Sequence, residues 1–180
     1  MLTARGYSLW LIPHEEAYIK LSHLISQLSE KYKAPCFAPH VTLIGGIASP
    51  KEEIISKTAN LASMLNPFGI ELNGLRYSDK YFKCLFLKAK ETDEIKEASQ
   101  KARGIFNMQD SPEYMPHLSL IYGNYSTETK ERIISEIGEK FSMSFEIRNI
   151  HLFSTSGEPR FWHYVKEFPS KNNLNGPDRI

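Results

Sequence analysis

Apolar residues recur along this chain with two alternating periods, and the changes of period mark out a repeated order of elements. Tyr7 to Ile12 is a short β-prone run ended by Pro13, which predicts a strand. From Glu15 to Tyr32, Tyr18, Leu21, Leu24, Ile25, Leu28 and Tyr32 fall at helical spacing. Pro35 and Pro39 break that helix, and His40 to Ile47 reads as a second strand. Ser49-Pro50-Lys51-Glu52 predicts a helix start with a capping serine. The helix runs to about Leu65, with Ile54, Ile55, Leu61, Ala62 and Leu65 turned inwards. Phe68 to Ser78 then closes a first half as a strand.

The second half repeats the order. Tyr81 to Ala89 is β-prone, and Thr92 is placed to cap a helix through Ile95, Ala98, Ala102 and Ile105. A loop from Asn107 to Pro116 leads to a strand from His117 to Tyr122. Ser126 or Thr127 opens a helix holding Ile133, Ile134 and Ile137. Phe141 to Ser154 and Phe161 to Phe168 read as final strands around a turn at Ser156-Gly157-Glu158-Pro159. Alternating strands and helices in two equivalent halves predict an α+β architecture. Residues 1–168 form its single domain, and residues 169–180 are read as a flexible polar tail.

The halves share a phrase as well as an order. Phe37-Ala-Pro39-His40-Val41-Thr42-Leu43-Ile44-Gly-Gly46 matches Tyr114-Met-Pro116-His117-Leu118-Ser119-Leu120-Ile121-Tyr122-Gly123. Pro, His, Leu, Ile and the last Gly are identical, and a histidine precedes a hydroxyl by two residues in both. In a strand, positions i and i+2 share a face, so His40 looks the same way as Thr42, and His117 the same way as Ser119. Two imidazoles and two hydroxyls on one concave surface suit a phosphodiester. The hydroxyls hold its oxygens, one neutral histidine takes a proton from water, and a protonated one supplies the leaving oxygen. Such a set needs neither metal nor cofactor, and neither copy brings a carboxylate or cysteine at ligand spacing. Which histidine is base and which acid stays open, because the repeat makes either assignment workable. A pure phosphate binder would have no need for two titrating rings.

At these residues the chain resembles the 2H phosphoesterase superfamily and, within it, the cyclic phosphodiesterases of the plant and yeast type. The stretch Tyr7-Ser-Leu-Trp10-Leu-Ile-Pro13 adds to the likeness. The resemblance implies a bilobal 2H phosphoesterase fold, with two antiparallel sheets facing across a cleft, helices outside and a pseudo-twofold duplication. It implies metal-independent opening of nucleotide-sized cyclic phosphates: ADP-ribose 1″,2″-cyclic phosphate, or nucleoside 2′,3′-cyclic phosphates opened to 2′-phosphates. His40 and His117 map to the catalytic histidines, Thr42 and Ser119 to the phosphate-binding hydroxyls, and Tyr122 and Trp10 to substrate contacts. An RNA 2′,3′-cyclic phosphate end is the alternative substrate. The extra cysteines that can pin the loop before the second motif in plant members are missing, so Asn107 to Glu113 is expected to act as a lid.

Bulk properties narrow the picture only a little. The 180 residues carry a net charge of +1, which gives no electrostatic reason for tight binding to long nucleic acid. Cys36 and Cys84 show no metal or disulfide pattern, and no apolar run is long enough to span a membrane. The expectation is a cytoplasmic monomer whose partner is a small cyclic nucleotide. His14, His23, His151 and His163 have no motif partner and are read as surface or structural.

Overall fold

A computed structural model of the protein describes residues 3–110, 112–138 and 141–171. The elements run β1 (Tyr7–Leu11), α1 (Glu15–Tyr32), β2 (Val41–Ile47), α2 (Lys51–Ser63), β3 (Phe68–Tyr77), β4 (Leu85–Ala89), α3 (Asp93–Ile105), β5 (His117–Ile121), α4 (Thr127–Ile137), β6 (Ser142–Ile147), β7 (Asn149–Ser154) and β8 (His163–Pro169). Local chemistry accounts for the helix starts. Ile95 N–H donates to Thr92 Oγ1 and Thr129 N–H to Ser126 Oγ, so both expected caps form. Ser49 does not cap α2; Pro50 stands at that position and makes no side-chain cap bond. In α1 the stripe Leu21, Ile25 and Leu28 is buried, whereas Tyr18 is exposed.

The predicted α+β duplication is present, with a different partition of strands. All neighbouring strands are antiparallel, in the order β6-β3-β4-β5-β2-β1-β7-β8. Two four-stranded lobes are therefore continuous through β2 and β5, whose register is fixed by the pair Val41 and Leu118. Phe68–Ser78 does not close the lobe of its own half: β3 pairs with β4 and β6, and in return β7 pairs with β1. The alternation of β3 (Phe68, Ile70, Leu72 and Leu75 buried) says which face is apolar, not which sheet edge receives it. Phe141–Ser154 likewise divides into β6 and β7, which lie in opposite lobes.

Leu9, Leu11, Val41, Leu43, Leu118 and Leu120 point to the covered face and belong to one core. Helices pack on that face across the halves: α1 against β5, α3 against β2, and α2 against β7 and β8. The opposite face at the β2–β5 seam is left for the cleft. The outermost strands β6 and β8 are largely exposed and carry Glu146, Lys166 and Glu167, charges that discourage edge-to-edge pairing. Of the expected tail, Pro169 ends β8, Ser170 N–H donates to Arg148 O, and Lys171 N–H donates to Leu65 O. Those three residues are held in place; residues 172–180 lie outside the described residues. Among the described residues no helix is long and apolar enough to cross a membrane.

Candidate active site

Antiparallel pairing builds the site directly. Val41 and Leu118 face each other with both side chains in the core. Their neighbours in the same register point the other way, which sets His40 across from Ser119 and Thr42 across from His117. Each histidine thus faces the hydroxyl of the other motif, and all four line one cavity of about 620 Å³.

The two imidazoles are held identically. His40 Nδ1 meets Ala38 O at 2.7 Å, and His117 Nδ1 meets Met115 O at 2.9 Å, in both cases the carbonyl two residues earlier. A carbonyl only accepts, so each Nδ1 carries the proton and each Nε2 presents a lone pair. Burial pulls the pKa of His40 down from 6.5 to about 4, and nearby His117 adds to the shift. His117 is lowered too, first by burial and then by the Lys83 ammonium. The neutral form of both rings is therefore favoured when the cleft holds no anion.

Trp10 is 2% exposed and explains the depth of His40. Its indole stacks on His40 at 3.6 Å and 9°, and on Phe153 at 3.9 Å and 21°. With both ring faces covered, only an edge is left for the cavity. Ser119 Oγ donates to Phe82 O at 2.9 Å, and the Tyr122 hydroxyl lies close to that serine. Burial holds that phenol protonated, and its ring stacks on Phe37 at 3.8 Å. Tyr114 OH donates to Thr42 O, tying the approach to β5 onto β2.

The remaining cavity walls come from segments that sequence reasoning assigned elsewhere. Tyr81–Lys83 is a 3₁₀ turn, not the start of a strand, and it places Lys80, Tyr81, Phe82 and Lys83 at the cleft. Trp162 follows a second such turn and packs against Phe82, Tyr122 and Trp10. Ser8 and Thr155, joined by a 2.9 Å hydrogen bond, complete the wall beside β1. Among the described residues from Asn107 to Glu113, none is a wall residue. Pro112 O accepts from Arg103 and Met108 N–H donates to Arg103 O, which fastens that segment to α3. Of the other histidines, His23 and His163 are exposed. His14 and His151 have ring centroids 6.3 Å apart on the far side of the Trp10 strand.

A central seam with paired His-x-hydroxyl strands over one cleft defines the 2H phosphoesterase class. Comparison with known proteins agrees. The cyclic phosphodiesterase-like protein family matches residues 5–168, and the chain belongs to that family of phosphoric diester hydrolases. It is similar to a cyclic phosphodiesterase of Arabidopsis thaliana, with 27% identity over 158 residues, 86% of this chain and 87% of that one. It is also similar to a 2′,3′-cyclic-nucleotide 3′-phosphodiesterase of Kluyveromyces lactis, 28% identical over 138 residues, 66% of this chain and 65% of that one. Solved structures with the same fold include TT0787 of Thermus thermophilus, with a TM-score of 0.66 and 15% identity, covering 92% of this chain and 98% of that one. Escherichia coli LigT in complex with 3′-AMP superposes with a TM-score of 0.62 and 11% identity, covering 94% of this chain and 99% of that one.

Proposed function

We propose that the protein hydrolyses nucleotide-sized cyclic phosphates, ADP-ribose 1″,2″-cyclic phosphate and nucleoside 2′,3′-cyclic phosphates among them, by two-histidine acid–base catalysis without a metal. The observation that carries this reading is the twin Nδ1–carbonyl bond, which leaves two Nε2 atoms on one cavity. His40, held neutral by burial beneath the Trp10 indole, is the general base. Its Nε2 takes a proton from water as the water oxygen bonds to phosphorus. The bond from phosphorus to the ring oxygen breaks, and His117 Nε2 gives its proton to that oxygen, so a 2′,3′-cyclic phosphate leaves as the 2′-phosphate. An incoming phosphodiester anion supplies the charge that lets His117 hold this proton. Thr42 and Ser119 donate to the non-bridging oxygens, Ser119 by turning its proton away from Phe82 O.

Ligand size is supported by the fold neighbours: LigT has been solved with 3′-AMP, NADP+ and ATP. The test incubates the cyclic substrates with protein in EDTA. Wild type turns over, and His40→Ala and His117→Ala each lose about 10²–10⁴-fold in kcat, with little further loss in the double variant. Undiminished turnover in either single variant, or none in folded wild type, refutes the mechanism.

A further inference from the structure

The cleft holds more positive charge than one phosphodiester needs. Lys83 N–H donates to Lys80 O at 2.9 Å, closing the 3₁₀ turn, and in that geometry side chains three residues apart lie above one another. Both lysines line the cavity. Lys83 is half-buried, with Nζ 5.6 Å from the centre of the Phe86 ring, and Phe86 meets His117 edge-on at 5.2 Å. That path brings the ammonium close enough to act on His117, as the lowered imidazole pKa records. Burial and the neighbouring Lys80 also lower the Lys83 ammonium itself.

Among the described residues, Lys80 and Lys83 form no ion pair; the same holds for Lys33, Lys51, Lys96, Lys166 and Lys171, but of these seven lysines Lys80 and Lys83 are the two that line the cavity. Asp79, the acidic residue of the same wall, has its carboxylate 2.7 Å from Lys130 Nζ. Two ammonium groups near enough for one to act on the other, one of them partly desolvated, are an unfavourable arrangement unless an anion joins them. The singly charged phosphodiester already has two imidazoles and two hydroxyls. A volume of about 620 Å³ leaves room for more than that group.

We propose that Lys80 and Lys83 form a subsite for a second phosphoryl group of the substrate, so that cyclic phosphates bearing a further phosphate or a pyrophosphate are selected over cyclic mononucleotides. The inference rests on the phosphodiesterase reading of the cleft and adds the two residues that discriminate among its substrates. Its test compares kcat/KM on adenosine 2′,3′-cyclic phosphate, on the same compound with a 5′-phosphate, and on ADP-ribose 1″,2″-cyclic phosphate. Wild type, Lys80→Gln, Lys83→Gln, the double variant and Lys83→Arg are assayed.

The quantity read is the preference for each second-phosphate substrate over the plain cyclic nucleotide. Each Gln substitution lowers it about tenfold, the scale of one charge-assisted contact, and Lys83→Arg keeps it. A fall confined to the 5′-phosphate substrate assigns the subsite to a terminal phosphate; one confined to the ADP-ribose compound assigns it to a pyrophosphate. A preference unchanged within about twofold, or an equal loss on all three substrates, overturns the proposal. Binding separates this failure from that of the phosphodiesterase reading, because calorimetry with 2′-AMP and adenosine 2′,5′-bisphosphate needs no turnover. A wild-type preference for the bisphosphate that the double variant loses about tenfold supports the subsite even if catalysis is absent. Equal affinities in wild type, together with no turnover preference for either second-phosphate substrate, sink it.

Discussion

Trp10→Ala separates two roles for the indole, a wall for the substrate and a cover for the base. The structure favours the cover, because the ring lies flat on His40 at 3.6 Å and its other face is occupied by Phe153. That cover contributes to the burial that takes His40 from 6.5 to about 4. Removing it admits water to the imidazole, and the pKa climbs back towards its ordinary value. A rise of about two units corresponds to about 3 kcal/mol of recovered solvation, at 1.36 kcal/mol per unit. The profile of kcat/KM against pH reports the free enzyme, so its acid limb follows the base. We expect that limb near pH 4 in wild type. It moves up by one to two pH units in Trp10→Ala and by less in Trp10→Phe, which keeps an aromatic ring over His40. The truncation costs about 3–5 kcal/mol of stability, so thermal melts establish the temperature at which the variant is folded and assayed. An acid limb that stays in place, with kcat/KM lowered equally at every pH, refutes the cover and gives the indole to the substrate.

Acid should unfold the protein through its buried imidazoles. His40 and His151 titrate near 4 when folded and near 6.5 when unfolded, so the unfolded chain takes up protons first as the pH falls. Their stabilising effect is complete above about pH 6.5 and is withdrawn towards pH 4, by up to about 3 kcal/mol for each ring. Denaturant melts at pH 7 and pH 4.5 measure this, and a midpoint independent of pH over that range refutes it. Glycines give a sharper contrast. Gly6 and Gly46 both have φ of +74°, but a Cβ on Gly6 would collide with the Ile47 carbonyl, whereas one on Gly46 would meet nothing within 4 Å. Gly46→Ala should cost about 1–2 kcal/mol in chemical melts and Gly6→Ala clearly more, and equal losses would contradict the packing.

The four motif residues were legible in the sequence because two independent regularities met in them. A strand period of two gives His40 and Thr42 a common face, and the repeat gives His117 and Ser119 the equivalent one. Helix termini at Thr92 and Ser126 were legible for a similar reason, since a cap is a contact between residues three apart. The destination of β3 was not, because apolar alternation is satisfied at either sheet edge and the choice is made by packing far along the chain. The Lys80–Lys83 turn was hidden in a run whose composition suits a strand, and its place at the cleft follows from packing on β5, not from any local spacing. Trp162 lay equally out of reach: it comes late in the chain, and folding brings it against Phe82 and Tyr122.

The exchange of third strands bears directly on catalysis. With β3 in one lobe and β7 in the other, each lobe contains strands from both halves of the chain, and β2 and β5 are left at the centre. The helix over each of these strands comes from the opposite half, α3 over β2 and α1 over β5. His40 and His117 are therefore not on loops that could drift apart. His40 adjoins β2 and His117 opens β5, strands whose inner faces are fixed by Val41 and Leu118, both fully buried, and whose outer faces carry the motifs. The spacing of the two imidazoles is then set by one backbone pairing and by the hydrophobic contacts beneath it. Rigid strand placement of this kind holds catalytic groups more tightly than loop placement does. In this protein the packing that joins the lobes and the geometry that would align water, phosphorus and leaving oxygen are the same set of contacts.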